Sequence, residues 1–238
     1  MYMTSVWRIF FSVCAIVAVC ATPLLAGTVT GTVEVTGVRG VARNSGVALW
    51  LMPKNGVIPA DRHPGAARMV QHHKQFQPHV LAIQVGTAVD FPNLDPIFHN
   101  AFSNIDGQPF DVGLYPPGTS RRVVFHKTGI VRVFCNIHES MNAVIVVEDT
   151  PWLAVSNERG GYTMTDVPPG EYTLHVFYER ANRQTLDSLV RNLEVGEGRT
   201  AIPLIQISAT GYIAAPHKNK YGRDYPPEDQ NGSYGAKP

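Results

Sequence analysis

Residues 134–141 read Phe-Cys-Asn-Ile-His-Glu-Ser-Met, so Cys135, His138 and Met141 stand in a C-x2-H-x2-M spacing. A thiolate, an imidazole and a thioether on one short stretch suit a soft or borderline metal ion. A second imidazole is available upstream at His99, in Phe91-Pro-Asn-Leu-Asp-Pro-Ile-Phe-His-Asn100. Two imidazoles, one thiolate and a weak axial thioether hold a copper ion in a trigonal arrangement that both of its oxidation states accept. That chemistry is one-electron transfer, not turnover of a substrate. Taken singly, each residue has an ordinary role: a lone Cys or Met is most often packing. The joint spacing, with an apolar run on each side, makes them candidate ligands.

The elements that must position these donors are also readable. Ile130-Val-Arg-Val-Phe134 alternates as a strand that ends at Cys135, and Ala143-Val-Ile-Val-Val147 reads as the strand that leaves. Cys135, His138 and Met141 therefore share one loop, and His99 has to arrive from another strand across a packed core. The remaining histidines are weaker candidates. His72 and His73 would point to opposite faces of a strand, and His63, His79, His126, His175 and His217 read as surface or packing residues. No Ser/His/Asp arrangement, phosphate-binding glycine loop or zincin motif is present, so the expectation is a protein that is not an enzyme.

The N-terminus bears on compartment. Arg8 precedes an uncharged apolar run, Ile9 to Ala21, and then Thr22-Pro23-Leu24-Leu25-Ala26. This reads as a secretory signal peptide over 1–26, with a periplasmic or secreted mature chain and no later segment able to span a membrane. Cys14 and Cys20 fall in that leader, so Cys135 is the one cysteine left and no disulfide framework is expected. A single thiol in an oxidising compartment needs burial or a bound partner. The 20 Lys+Arg and 19 Asp+Glu leave a formal charge of +1, which argues against nucleic acid as a partner. Gly (21) and Pro (18) are numerous, as in loop-rich all-β proteins.

Short β-rich runs dominate the chain. Besides those above, the expected strands are 28–35, 47–52, 79–85, 88–91, 121–125, 153–155, 162–165, 172–178, 193–195 and 201–207, with helical turns around 181–189. Pro53, Pro59 and Pro64 mark a linker over 53–67, Thr150-Pro151 marks a second boundary, and 213–238 reads as a disordered tail.

Two resemblances organise these strands. Residues 75–95 with Phe98-His-Asn100, then Thr128-Gly-Ile-Val-Arg-Val-Phe-Cys-Asn-Ile-His138, resemble the two halves of a plastocyanin/amicyanin-type cupredoxin over 68–148. The two residues between His138 and Met141 resemble the short ligand loop of the amicyanin type. The resemblance implies a Greek-key sandwich holding one type 1 (blue) copper ion on His99, Cys135, His138 and axial Met141. It also implies that Asn100 braces the Cys loop and that electrons leave by the solvent-near edge of His138, with Ile137 and Pro96 in an apolar docking patch. It hints at methylamine oxidation as a setting. Cys135 is flanked by Phe134 and Asn136 rather than by histidines, so the link to a trinuclear cluster found in multicopper oxidases is missing.

The flanks, Thr30-Gly-Thr-Val-Glu-Val-Thr-Gly37 with Gly46-Val-Ala-Leu-Trp-Leu-Met52, and 156–176 with Asp166-Val-Pro-Pro-Gly170, resemble a carboxypeptidase regulatory-like (transthyretin-like) β-sandwich. Asn157 and Arg159 stand where that family commonly carries acidic residues, which argues against calcium in the turn. Two arrangements fit. In one, 28–56 and 149–210 form a sandwich with the copper domain nested between them. In the other, two domains stand in tandem and 28–56 adds strands to the copper domain. The expected function is an exported blue copper carrier of single electrons with a redox protein partner, a cytochrome or a dehydrogenase. The alternatives are copper storage or delivery, or a cell-surface interaction module without electron-transfer turnover.

Overall fold

A computed structural model describes residues 26–37, 44–55, 58, 65–210 and 217–225. The expected leader, apart from Ala26, lies outside the described residues, as do most of the linker and the rest of the tail. The elements in chain order are β1 (Gly27–Thr36), β2 (Ala48–Pro53), β3 (Ala66–Arg68), β4 (Val70–His72), β5 (Gln75–Gln77), β6 (Val80–Gln84), β7 (Ala88–Pro92), β8 (Phe102–Ser103) and β9 (Phe110–Asp111). There follow β10 (Ser120–Val124), β11 (Gly129–Phe134), β12 (Asn142–Glu148), β13 (Leu153–Val155), β14 (Gly161–Val167), β15 (Gly170–Phe177), α1 (Arg183–Leu189), β16 (Arg191–Val195), β17 (Arg199–Ala201) and β18 (Ile205–Ser208). No helix among the described residues is long and apolar enough to cross a membrane.

Two packed sandwiches account for most of these strands, and β4 and β5 form a separate two-stranded sheet. In the first, β1 runs antiparallel to β14 and parallel to β17 and β18, and this sheet faces the sheet β13-β2-β15-β16. Val29, Val33 and Val35 of β1, Leu49 and Leu51 of β2, Leu174 and Val176 of β15, and Ile205 and Ile207 of β18 fill the core between them. In the second, β10-β7-β3 faces β6-β12-β11-β8-β9 around Val89, Phe91, Phe125, Val131, Val133, Ile145 and Val147.

Strand β12 belongs to both interiors. Ala143, Ile145 and Val147 enter the core of the second sandwich, whereas Val144 and Val146 pack with Val80 against Ala48 and Phe177 of the first. A strand buried on both faces has no polar alternation, which is why Ala143–Val147 is an unbroken apolar run.

Local chemistry explains most departures from the expected strands. The run 201–207 divides into β17 and β18 because Pro203 has no N–H for the ladder. The three-residue strands β3, β4 and β5 carry almost no apolar signal of their own. His72 and His73 do not face apart: β4 ends at His72, His73 and Lys74 turn at positive φ, and the two rings stack with centroids 3.8 Å apart. The expected helical turns are α1, capped by the Asn182 side chain, which accepts the Thr185 N–H at 2.8 Å. In the turn before β14, the Asn157 side-chain oxygen accepts the N–H groups of Arg159 and Gly161, so that turn is closed by its own amide.

Candidate metal centre

The loop after β11 closes on itself at the backbone. The Cys135 N–H donates to the Met141 carbonyl at 3.0 Å, and the Met141 N–H donates to the His138 carbonyl at 3.2 Å. This ring sets Cys135, His138 and Met141 side by side at one end of the second sandwich. His99 reaches the same point from the segment after β7. It is held by a two-way backbone pairing with Tyr115, at 3.2 and 2.9 Å, and the Tyr115 hydroxyl donates to the Phe91 carbonyl.

Cys135 Sγ lies 3.8 Å from His99 Nδ1 and 3.7 Å from His138 Nδ1. The three donor atoms all lie within 4.8 Å of one another, and His99, Cys135, His138 and Met141 are all buried. Metal–nitrogen and metal–sulfur bonds of about 2.0 and 2.3 Å, opened to a trigonal angle, separate nitrogen from sulfur by about 3.7 Å. The donors are thus spaced for one ion between them. The structure brings three of the four expected ligands together by their donor atoms and carries Met141 on the same closed loop.

Burial and hydrogen bonds act on two of the donors, Cys135 and His99. Burial pushes the Cys135 thiol up, offset in part by backbone N–H groups of Ile137, Asn100 and His138 directed at the sulfur. Burial likewise pushes the His99 imidazole down, against the opposing pull of Asp95. His99 Nε2 sits 2.7 Å from Asp95 Oδ2. Burial alone would raise the Asp95 carboxyl, but the Lys74 N–H, the His99 ring and the His73 N–H hold it below the usual carboxylate range. A neutral His99 that donates from Nε2 to this carboxylate leaves the Nδ1 lone pair free to face the sulfur.

Asp95 is the functional residue that sequence reasoning passed over. Its signal was the Asn93-Leu94-Asp95 stretch, where the Asn93 side chain accepts the Asp95 N–H at 3.0 Å and shapes the turn toward His99. Asn100 lies beside the Cys loop. Its side chain donates to Asp111 Oδ1 at 2.8 Å and to the Gly113 carbonyl at 3.0 Å, and its backbone N–H is directed at Cys135.

Two further expectations are corrected. His138 is not near solvent, being 1% exposed. The tail is not disordered over 217–225: this segment packs on the ligand loop. The Tyr225 hydroxyl donates to the Cys135 carbonyl at 2.9 Å, the Lys220 N–H donates to Asn136 Oδ1 at 3.0 Å, and the His217 ring stacks on Phe134 with centroids 4.1 Å apart. A sequence without apolar periodicity gives no sign of such packing, because polar and ring contacts carry it. Near His99, Leu94, Phe98 and Leu114 are each more than half exposed, beside the exposed Pro96.

No family model matches the chain. It is 38% identical over 68 residues to the methylamine utilization protein MauL of Methylorubrum extorquens, a match covering 28% of this chain and 60% of that protein. The chain thus spans less than two thirds of that relative's length. Among solved structures, it is similar to a copper-containing nitrite reductase of Thermus scotoductus at 30% identity, covering 34% of this chain and 22% of that one, with a TM-score of 0.33. A purple cupredoxin of Nitrosopumilus maritimus aligns at 24% identity over 34% of this chain and 98% of that one, with a TM-score of 0.31. A copper(I) amicyanin variant aligns at 18% identity over 35% of this chain and 83% of that one, with a TM-score of 0.33. What the centre can hold follows from its own donors. The thiolate, two imidazoles and thioether of Cys135, His99, His138 and Met141 are the set typical of a type 1 copper site.

Proposed function

We propose that this chain is an exported type 1 copper protein that carries single electrons between redox partners. One observation carries the reading: Cys135 Sγ with both imidazole Nδ1 atoms at 3.7–3.8 Å, sealed at the end of an apolar core. Copper bound there would supply a one-electron couple. The chain's own residues keep water out, hold His99 in one tautomer through Asp95, and direct three backbone N–H groups at the sulfur. Hydrogen bonds to the sulfur and the burial of the site tune such a couple.

In this reading residues 68–148 form a cupredoxin-type domain nested in a carboxypeptidase regulatory-like sandwich made by 28–56 and 149–210. The strand pairing of β1 with β14, β17 and β18 supports the nesting. Export rests on the leader-like N-terminus. The likeness to the methylamine utilization protein MauL supports methylamine utilization as the setting, and a cytochrome or a dehydrogenase is the redox partner in this reading.

The test is a visible absorption spectrum of the purified chain titrated with Cu(II), beside Cys135→Ser. An intense band that is present in the wild type, missing in the variant and bleached by ascorbate is the expected result. The same spectrum from both proteins refutes the proposal.

A further inference from the structure

The segment 217–225 makes a set of contacts that the electron-carrier reading leaves unexplained. Tyr225 reaches the carbonyl of the cysteine itself, at 2.9 Å. The His217 ring lies on Phe134, the residue before that cysteine, and its Nε2 donates to the Glu139 carbonyl at 2.9 Å. The Lys220 N–H is bound to Asn136 Oδ1, and the Lys220 ammonium to Asp111 Oδ2 at 2.8 Å. Phe134, Cys135, Asn136 and Glu139 therefore all have a partner in this one segment. His138, between them, is 1% exposed.

We infer that residues 217–225 are a built-in strap that docks on the ligand loop and competes for that face with a redox partner. The inference rests on the copper reading for what the face does, but not for the contacts themselves. The strap is held by hydrogen bonds, one ring stack and one partly exposed ion pair, each of modest net strength in water. It buries little apolar surface: Tyr221 is 69% exposed, and Arg223 and Asp224 are also exposed. Such an element opens more readily than the strands beneath it. Its lifting would uncover the Phe134 ring and the Asn136 amide and free the already exposed Asp111 carboxylate from Lys220. The surface therefore fits a protein partner that brings an aromatic side chain to Phe134 and a cation to Asp111, which is the chemistry of the strap itself. Competition of this kind lowers partner affinity in proportion to the closed fraction.

The experiment uses the full chain and two variants, Tyr225→Phe, and His217→Ala combined with Lys220→Glu. Amide hydrogen exchange over 135–141 is measured on metal-free protein, and electron self-exchange between copper(I) and copper(II) copies is measured on loaded protein. Loss of one strap hydrogen bond is expected to speed amide exchange in the loop by about fivefold. The combined variant is expected to speed it further and to raise the self-exchange rate. Unchanged loop protection in both variants overturns the inference. So does slower electron exchange with lost protection, which would make the strap part of the electron route. If the wild type forms no visible copper band, the copper reading fails, while the metal-free amide exchange still decides whether the strap docks.

Discussion

His99 Nε2 is hydrogen-bonded to Asp95 Oδ2 at 2.7 Å, while Nδ1 of the same ring faces Cys135 Sγ at 3.8 Å. One carboxylate thus determines which nitrogen of His99 is available to a metal. Asp95 is itself fixed by the N–H groups of His73 and Lys74, at 2.6 and 2.8 Å, so the turn after β4 supports the metal centre at one remove. Asp95→Ala should weaken copper affinity by about 10- to 100-fold, the usual cost of losing a partner of a ligating imidazole. Competition with a copper chelator measures this, and an unchanged affinity would show that the contact does not matter to the ligand.

Met141 differs from the other three donors because a thioether contributes little to holding the ion and much to setting its potential. Met141→Gln should retain copper and its visible band but shift the reduction potential. Cyclic voltammetry reads the shift. A potential equal to the wild type's would mean that Met141 is not a ligand.

Burial and the neighbouring Asp149 raise the Glu148 carboxyl from 4.5 to about 7. A folded value above the unfolded one means that the fold favours the protonated acid. This contribution is complete below pH 4.5 and is lost as pH rises through about 7. Glu148→Gln should therefore gain stability relative to the wild type at pH 8, on the order of 2 kcal/mol, and little at pH 4. Urea melts at the two pH values give the comparison.

Gly160 adopts φ +82°, and a Cβ there would overlap the Val33 carbonyl oxygen. The Val33 N–H donates to the Gly160 carbonyl at 2.9 Å, so the close approach ties the turn before β14 to β1. Gly160→Ala should cost about 1–3 kcal/mol of stability in chemical denaturation. A loss within experimental error would mean that the turn can shift away from β1.

Nesting makes a prediction about cleavage. Proteolysis within 53–67 and near Thr150 should leave the two flanking pieces associated, with the 68–148 piece separating once mild denaturant breaks the contact of Val80, Val144 and Val146 with Ala48 and Phe177. Size-exclusion chromatography followed by mass spectrometry identifies what co-elutes. Flanking pieces that separate would mean that β1 and β2 do not form a domain with β13–β18.

Much of this protein is legible from residue types and spacing. The donor set could be read because Cys135, His138 and Met141 fall within seven positions and because their chemistry is rare in combination. The strands β11 and β12 can be read from their apolar content, and the stop at Pro203 follows from its missing N–H. The short strands β3–β5, β8 and β9 could not be read, because two or three residues carry no period and, unlike the apolar β13, these mix in polar residues. Their pairing comes from neighbours distant in sequence, as in Phe102 opposite Phe134.

The sequence by itself determined the chemistry of the centre, the predominance of β-strands and the punctuation of the chain by proline and glycine, since these depend on residue identity and local spacing. Tertiary structure decided which atoms meet. It turned the Asp95 carboxylate onto His99, the two faces of β12 into two different cores, and a polar tail into a cover over the ligand loop. Each of these joins groups through hydrogen bonds or packing whose pairing residue types and local spacing do not specify. Only the folded chain brings their surfaces together and removes the water between them.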